Sequence, residues 1–122
     1  LLPTEPSLNE ARYDRLPKGE PVVVNVEPGE RIPVMLVKHQ CHLVGGEVPA
    51  FEDPHGQTTP LDKKRAIIGR DVASDVCVPT PRRDISRKHL VIERLGSNLF
   101  RLTDISSLGT YVPPRFLDKT GS

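Results

Sequence analysis

Three short stretches of this sequence gather the residue types that hold an oxyanion. They are Gly69-Arg70, Asp84-Ile85-Ser86-Arg87-Lys88-His89 and Asp104-Ile105-Ser106-Ser107-Leu108-Gly109-Thr110. An Arg guanidinium is a planar, permanently charged fork that matches phosphate oxygens two at a time. A Ser hydroxyl adds a neutral donor, and successive backbone N–H groups in a tight loop form a concavity for an anion. Gly69 can adopt positive φ, which lets the chain turn sharply at Arg70. Phosphate is the common biological anion with these demands. Taken singly, each piece is also what a solvated surface supplies, the run of cations Arg82-Arg83 and Arg87-Lys88 included. Ser86 and His89 interleaved with those cations, directly before an apolar run, point instead to a built loop.

Each piece adjoins a strand. Ala66-Ile67-Ile68 precedes the first, Leu90-Val91-Ile92 follows the second and Tyr111-Val112 follows the third. Gly96-Ser97-Asn98 divides the apolar runs 89–95 and 99–102 as a hairpin turn. Upstream, residues 21–26 and 31–37 read as two more strands, joined by the turn Glu27-Pro28-Gly29-Glu30. Gly45-Gly46 and Asp53-Pro54-His55-Gly56 are further turns. With no Trp and only 3 Phe and 2 Tyr, the core must be built from Val, Leu and Ile, which favour strands. The 13 Pro and 9 Gly keep those strands short. At 122 residues the chain is one all-β domain.

Other chemistries fit less well. His39-Gln40-Cys41-His42 offers zinc-type ligands, but His55, Cys77 and His89 are scattered and no second paired cluster follows, so neither a metal nor a cofactor is expected. Asp84, Ser86 and His89 are the candidate catalytic triad. They lie too close in sequence for a nucleophile opposite its base, and no nucleophile elbow, P-loop or paired carboxylates accompany them, so no enzyme is expected. A formal net charge of +1 argues against strong non-specific nucleic-acid binding. Cys41 and Cys77 form no disulfide framework and read as free thiols of a reducing compartment. No signal peptide or long apolar segment appears, which points away from membranes and to a cytoplasmic protein or the intracellular part of a larger one.

G-R, then S-R-K-H, then D-x-S-S-x-G-T-Y-V, in this order and spacing, resemble the forkhead-associated (FHA) domain. Residues 47–112 carry the likeness, with residues 48–51 and 56–61 resembling the family's first two strands and residues 75–79 a short strand between motifs. The resemblance implies a β-sandwich of two mostly antiparallel sheets with ligand loops at one end. It also implies binding to phosphothreonine in a partner protein or peptide, within kinase-linked signalling or regulated assembly. By the same resemblance Arg70 and Ser86 hold the phosphate, and Arg87, Ser107 and Leu108 meet phosphate or peptide. Gly69, His89, Asp104, Gly109 and Thr110 support the loops, His89 from behind.

One departure stands out. The family commonly has Asn before the G-T pair, gripping the peptide main chain, and here Leu108 occupies that place in a loop one residue shorter. The departure favours the alternative of an FHA-fold assembly module that does not need phosphorylation. The family's final hairpin is also missing after Val112. Residues 1–20 then read as linker-like, 21–112 as the sandwich and 113–122 as a tail. The hairpin at residues 21–38 is expected to replace the missing strands, either within the chain or exchanged between two copies as a homodimer.

Overall fold

Alternation of buried and exposed residues sets the strands. In the computed structural model, which describes residues 13–78 and 84–117, Val22 and Val24 point inward while Val23 and Asn25 point out. Ile32, Val34 and Leu36 do the same in the next strand. Pro79, Arg82 and Arg83, residues 1–12 of the linker-like segment and the last part of the tail lie outside the described residues.

The strands are β1 (Asp14–Arg15), β2 (Val22–Asn25), β3 (Arg31–Leu36), β4 (His39–Val44), β5 (Ala50–Glu52), β6 (Thr58–Pro60), β7 (Arg65–Gly69), β8 (Val76–Cys77), β9 (Leu90–Arg94), β10 (Leu99–Asp104) and β11 (Thr110–Val112). They form two sheets, ordered β1-β11-β3-β4-β5-β6 and β2-β10-β9-β7-β8. Every ladder between them is antiparallel except β7–β8. The fold is all-β, a sandwich of two mostly antiparallel sheets. Phe51 from one sheet and Phe100 from the other are the largest side chains fully buried between them, surrounded by Val, Leu and Ile. Each such aliphatic contributes roughly 1.5–3 kcal/mol by leaving water.

The N-terminal strands enter the sandwich within one chain, but not as the expected hairpin. β2 lies along β10, with Val22 opposite Leu102, whereas β3 lies between β11 and β4 in the other sheet. The Pro28-Gly29 turn therefore carries the chain across the core. Period-2 patterning decides which face of a strand is buried, not which strand it pairs with. The hairpin that fills the sheet beside β5 is β3–β4, closed by Val37-Lys38 between the paired residues Leu36 and His39.

The ends differ from expectation too. Arg15 and Asp14 pair with Tyr111 and Val112, Leu16 is fully buried, and its N–H bonds the Thr110 carbonyl at 2.8 Å. The linker-like reading thus fails from Asp14 onward, because an apolar Leu seals the core while the strand before it covers the β11 edge. A 3₁₀ turn at Pro114–Phe116 follows β11, and Phe116 and Leu117 pack against the core.

Candidate functional site

Three loops meet at one end of the sandwich, and each is held by a neighbour's backbone. Arg70 leaves β7 with its N–H on the Ser86 carbonyl at 3.0 Å, and Asp71 N–H follows onto Arg87 at 3.2 Å. The Arg70 Nε donates to the Ile85 carbonyl at 2.9 Å, which fixes the guanidinium plane. Its terminal nitrogens have no hydrogen-bond partner among the described residues. Gly69 is needed here for a reason other than a turn. Its φ is not positive, but a Cβ would stand 2.0 Å from the Arg87 carbonyl oxygen. Only a glycine lets the two loops pack this closely.

Ser86 ties the second loop to the third. Its Oγ accepts the Ser107 N–H at 3.0 Å, which leaves the hydroxyl proton available for an anion. Behind it, His89 is fully buried at the start of β9. The ring Nδ1 accepts the Ser86 N–H at 3.1 Å, and Nε2 lies 2.9 Å from the Gly109 carbonyl. Accepting at one nitrogen and donating at the other defines a neutral ring with its proton on Nε2. Burial accordingly lowers the His89 pKa, outweighing the Gly109 carbonyl and the carboxylates of Asp104 and Asp84, which favour the proton.

The third loop has its own brace. Asp104 is buried, and its Oδ1 accepts the Ser106 N–H and hydroxyl at 3.2 and 2.6 Å and the Thr110 hydroxyl at 2.9 Å. Ser106 Oγ in turn accepts the Gly109 N–H at 2.7 Å. Gly109 has φ +105°, a conformation that strains other residues.

Between these loops lies an open basin of about 570 Å³. Arg70, Ser86, Arg87, Lys88, Ser107 and Leu108 line it, together with Asp71, Asp84 and Ile105. Asp84 is the carboxylate most at odds with an anion. Burial works against its charge, but the His39 ring at 2.9 Å and the Ile85 N–H outweigh it and hold the carboxyl below its ordinary range. The imidazole covers one of its oxygens. The geometry is that of a donor-lined cup, with the braces pointing backward and the free donors forward.

The FHA domain family model matches residues 66–121. The match supports an FHA domain over these residues. FHA domains are phosphopeptide-binding modules of protein–protein interaction. Searches of curated proteins and of solved structures gave no match. The matched stretch begins in β7, so β1 to β6 lie before it and still make up most of one sheet.

Within this FHA domain, Arg70, Ser86, Arg87, Ser107 and Leu108 come together around the basin, while Gly69, His89, Asp104, Gly109 and Thr110 stand behind it. Two residues had no signal of their own. Ser106 is buried between Asp104 and Gly109, and His39 arrives on the unforeseen strand β4 to pair with Asp84. The triad is not assembled, because His89 meets the Ser86 backbone rather than its hydroxyl and Asp84 meets His39. The His39–His42 run is split by the strand's alternation. Cys41 points into the core, where burial first, then Asp53 and Glu52, push its thiol up to about 12. Among the described residues no three His, Cys, Asp or Glu groups converge on a metal position, and no helix is long and apolar enough to cross a membrane.

Proposed function

We propose that this FHA domain captures phosphothreonine in a partner protein, reading a kinase's product to control assembly. The observation that carries the reading is the pairing of free donors at the basin. The Arg70 fork is held by its Nε and the Ser86 hydroxyl by Ser107, so both offer their remaining protons to one anion. Arg87 and Lys88 add charge beside them. A phosphothreonine carries about −1.5 to −2 charges near neutral pH, so the donor set distinguishes it from Thr. Ile105 and Leu108, 38% and 51% exposed, give the rim an apolar surface for the threonine methyl that phosphoserine lacks.

The second reading, assembly without phosphorylation, draws on Leu108 in place of the peptide-gripping Asn. One titration series separates the two. Peptides carrying phosphothreonine, phosphoserine or Thr at one fixed position are titrated against the domain. The proposal expects binding in that order and none measurable for Thr. Equal binding of all three peptides supports the second reading instead.

A further inference from the structure

The N-terminal segment delivers three cations to the site end of the sandwich, and none belongs to the FHA motifs. Arg15 lies against the third loop, with its Nε 2.8 Å from where a Cβ would stand on Gly109. The Lys18 backbone forms a parallel β-bridge with Asp104, the residue before Ile105. Lys38 sits in the β3–β4 turn next to Val37, whose N–H bonds the Gly109 carbonyl at 3.0 Å. All three are exposed. Some cations elsewhere have acidic partners, as in Lys63–Asp75 and Arg101–Glu93, while others such as Arg65 and Arg94 have none among the described residues. Arg15, Lys18 and Lys38 have no ion-pair partner among the described residues.

The third loop is therefore bounded by cations on two flanks. One flank is tied through Ser107 to Ser86 and the phosphate-binding donors. The other is tied through Gly109 and Asp104 to strands that the family match does not include. A peptide whose phosphate sits in the basin and whose chain crosses this loop must pass the second flank. We propose that Arg15, Lys18 and Lys38 form a second cationic rim that binds acidic side chains flanking the phosphothreonine. The proposal rests on phosphothreonine capture at the basin and adds the ligand class, an acidic phosphopeptide. Unpaired like charges around one loop also repel each other, a cost that an acidic ligand removes.

The test uses short Ala-based phosphothreonine peptides carrying Glu, Ala or Lys on either side of the phosphorylated residue. At low ionic strength the full chain should bind the Glu-flanked form about threefold to tenfold more tightly than the Ala-flanked one, as expected for a few exposed ion pairs. The Lys-flanked form should be weakest, and the spread should narrow as salt is added. In R15Q/K18Q/K38Q the preference should vanish, while the Ala-flanked peptide keeps its affinity to within about twofold. Should that variant fail to melt cooperatively, K18Q/K38Q carries the comparison, with a reduced preference expected. Equal affinity for Glu and Ala flanks in the parent, or a preference that survives these substitutions, overturns the second rim alone. A parent that binds none of the phosphopeptides overturns phosphothreonine capture, and the rim with it.

Discussion

The Ser86 hydroxyl oxygen accepts the Ser107 N–H at 3.0 Å, so one side chain both closes the gap between two loops and offers its proton to the basin. Ser86→Ala removes both functions at once. A hydrogen bond to a charged group is worth roughly 1.5–3 kcal/mol. Phosphopeptide affinity should fall by about tenfold or more, and thermal melting should drop by a few degrees for the lost loop tie. Unchanged affinity by calorimetry would remove Ser86 from the phosphate site.

Arg70 is held by Nε to the Ile85 carbonyl and presents its fork to the basin. Arg70→Ala should weaken phosphopeptide binding by at least about tenfold, since charge-assisted bonds are the strong ones. Arg70→Lys keeps the charge but has no Nε to hold the loop and no planar fork. It should recover part of the affinity and none of the loop order, seen as an intermediate dissociation constant with a melting temperature still at the Ala level. Full recovery by Lys would mean that charge alone holds the ligand.

The loops were legible because their chemistry is local. Arg, Ser, His and Gly at strand ends can be read one residue at a time, and Asp104, Gly109 and Thr110 enter as loop supports through the resemblance to the FHA pattern. Pairing was less legible. Val22–Asn25 and Arg31–Leu36 have strand periodicity, but nothing in that periodicity tells a hairpin from a crossing between sheets. β4 was missed for a physical reason. The turn before it is Val37-Lys38, where φ is +60° at a β-branched residue instead of at Gly or Asn. Its His39-Gln40-Cys41-His42 run has the residue types of a metal site, and its Cys41/Leu43 alternation is short and interrupted by His and Gln.

His89 should make stability depend on pH. Its folded pKa is depressed, because burial penalises the charged ring. The unfolded chain then binds the proton more readily than the folded one, so stability rises with pH between the two values. The His89 contribution is fully present above the ordinary histidine value of about 6.5 and is lost as pH falls toward the folded pKa. The limiting slope is about 1.4 kcal/mol per pH unit. Protonation would also point a donor at the Ser86 N–H, so loop order should go with stability. Denaturant unfolding from pH 7.5 to 5 checks this, with His89→Gln as control. The parent should weaken over that range and the variant, though less stable at neutral pH, should lose less. Parallel curves would assign the pH dependence to other groups.

Val37 pays a conformational cost that its neighbours enforce. Its N–H bonds the Gly109 carbonyl, and the β3–β4 pairing closes directly on either side of the turn. A left-handed conformation costs most L-residues roughly 1–2 kcal/mol, and Asn tolerates it better than a β-branched residue does. Val37→Asn should therefore raise the melting temperature by a few degrees. A lower melting temperature would mean that the half-buried Val side chain contributes more packing than the backbone loses in strain.

The boldest feature of the fold is that β1, β2 and β3 precede the FHA motifs yet pair with β10 and β11, while β4 joins them to β5. Asp14 pairs with Val112, so the described ends of the chain meet. On the other side, β4 runs beside β5 across the Gly45-Gly46 turn, with Val44 opposite Ala50. Chain order along this ring of strands is then a matter of where the ring is cut. Joining Ser122 directly to Leu1 and opening the chain between Gly46 and Glu47 keeps every ladder while moving the first four strands to the end. This permutant should melt cooperatively near the parent temperature and bind the same phosphothreonine peptide, because connectivity changes loop-closure entropy only slowly with loop length. Deleting residues 1–38 is the opposite manipulation. It strips β2 from β10, removes β3 from between β11 and β4, and so splits one sheet while exposing edges of both. That fragment should aggregate or show no cooperative transition. A soluble, cooperatively melting deletion product would mean that the motif-bearing strands make a sandwich of their own. An unfolded permutant beside a folded parent would mean that the N-terminal position of these strands is itself needed for folding.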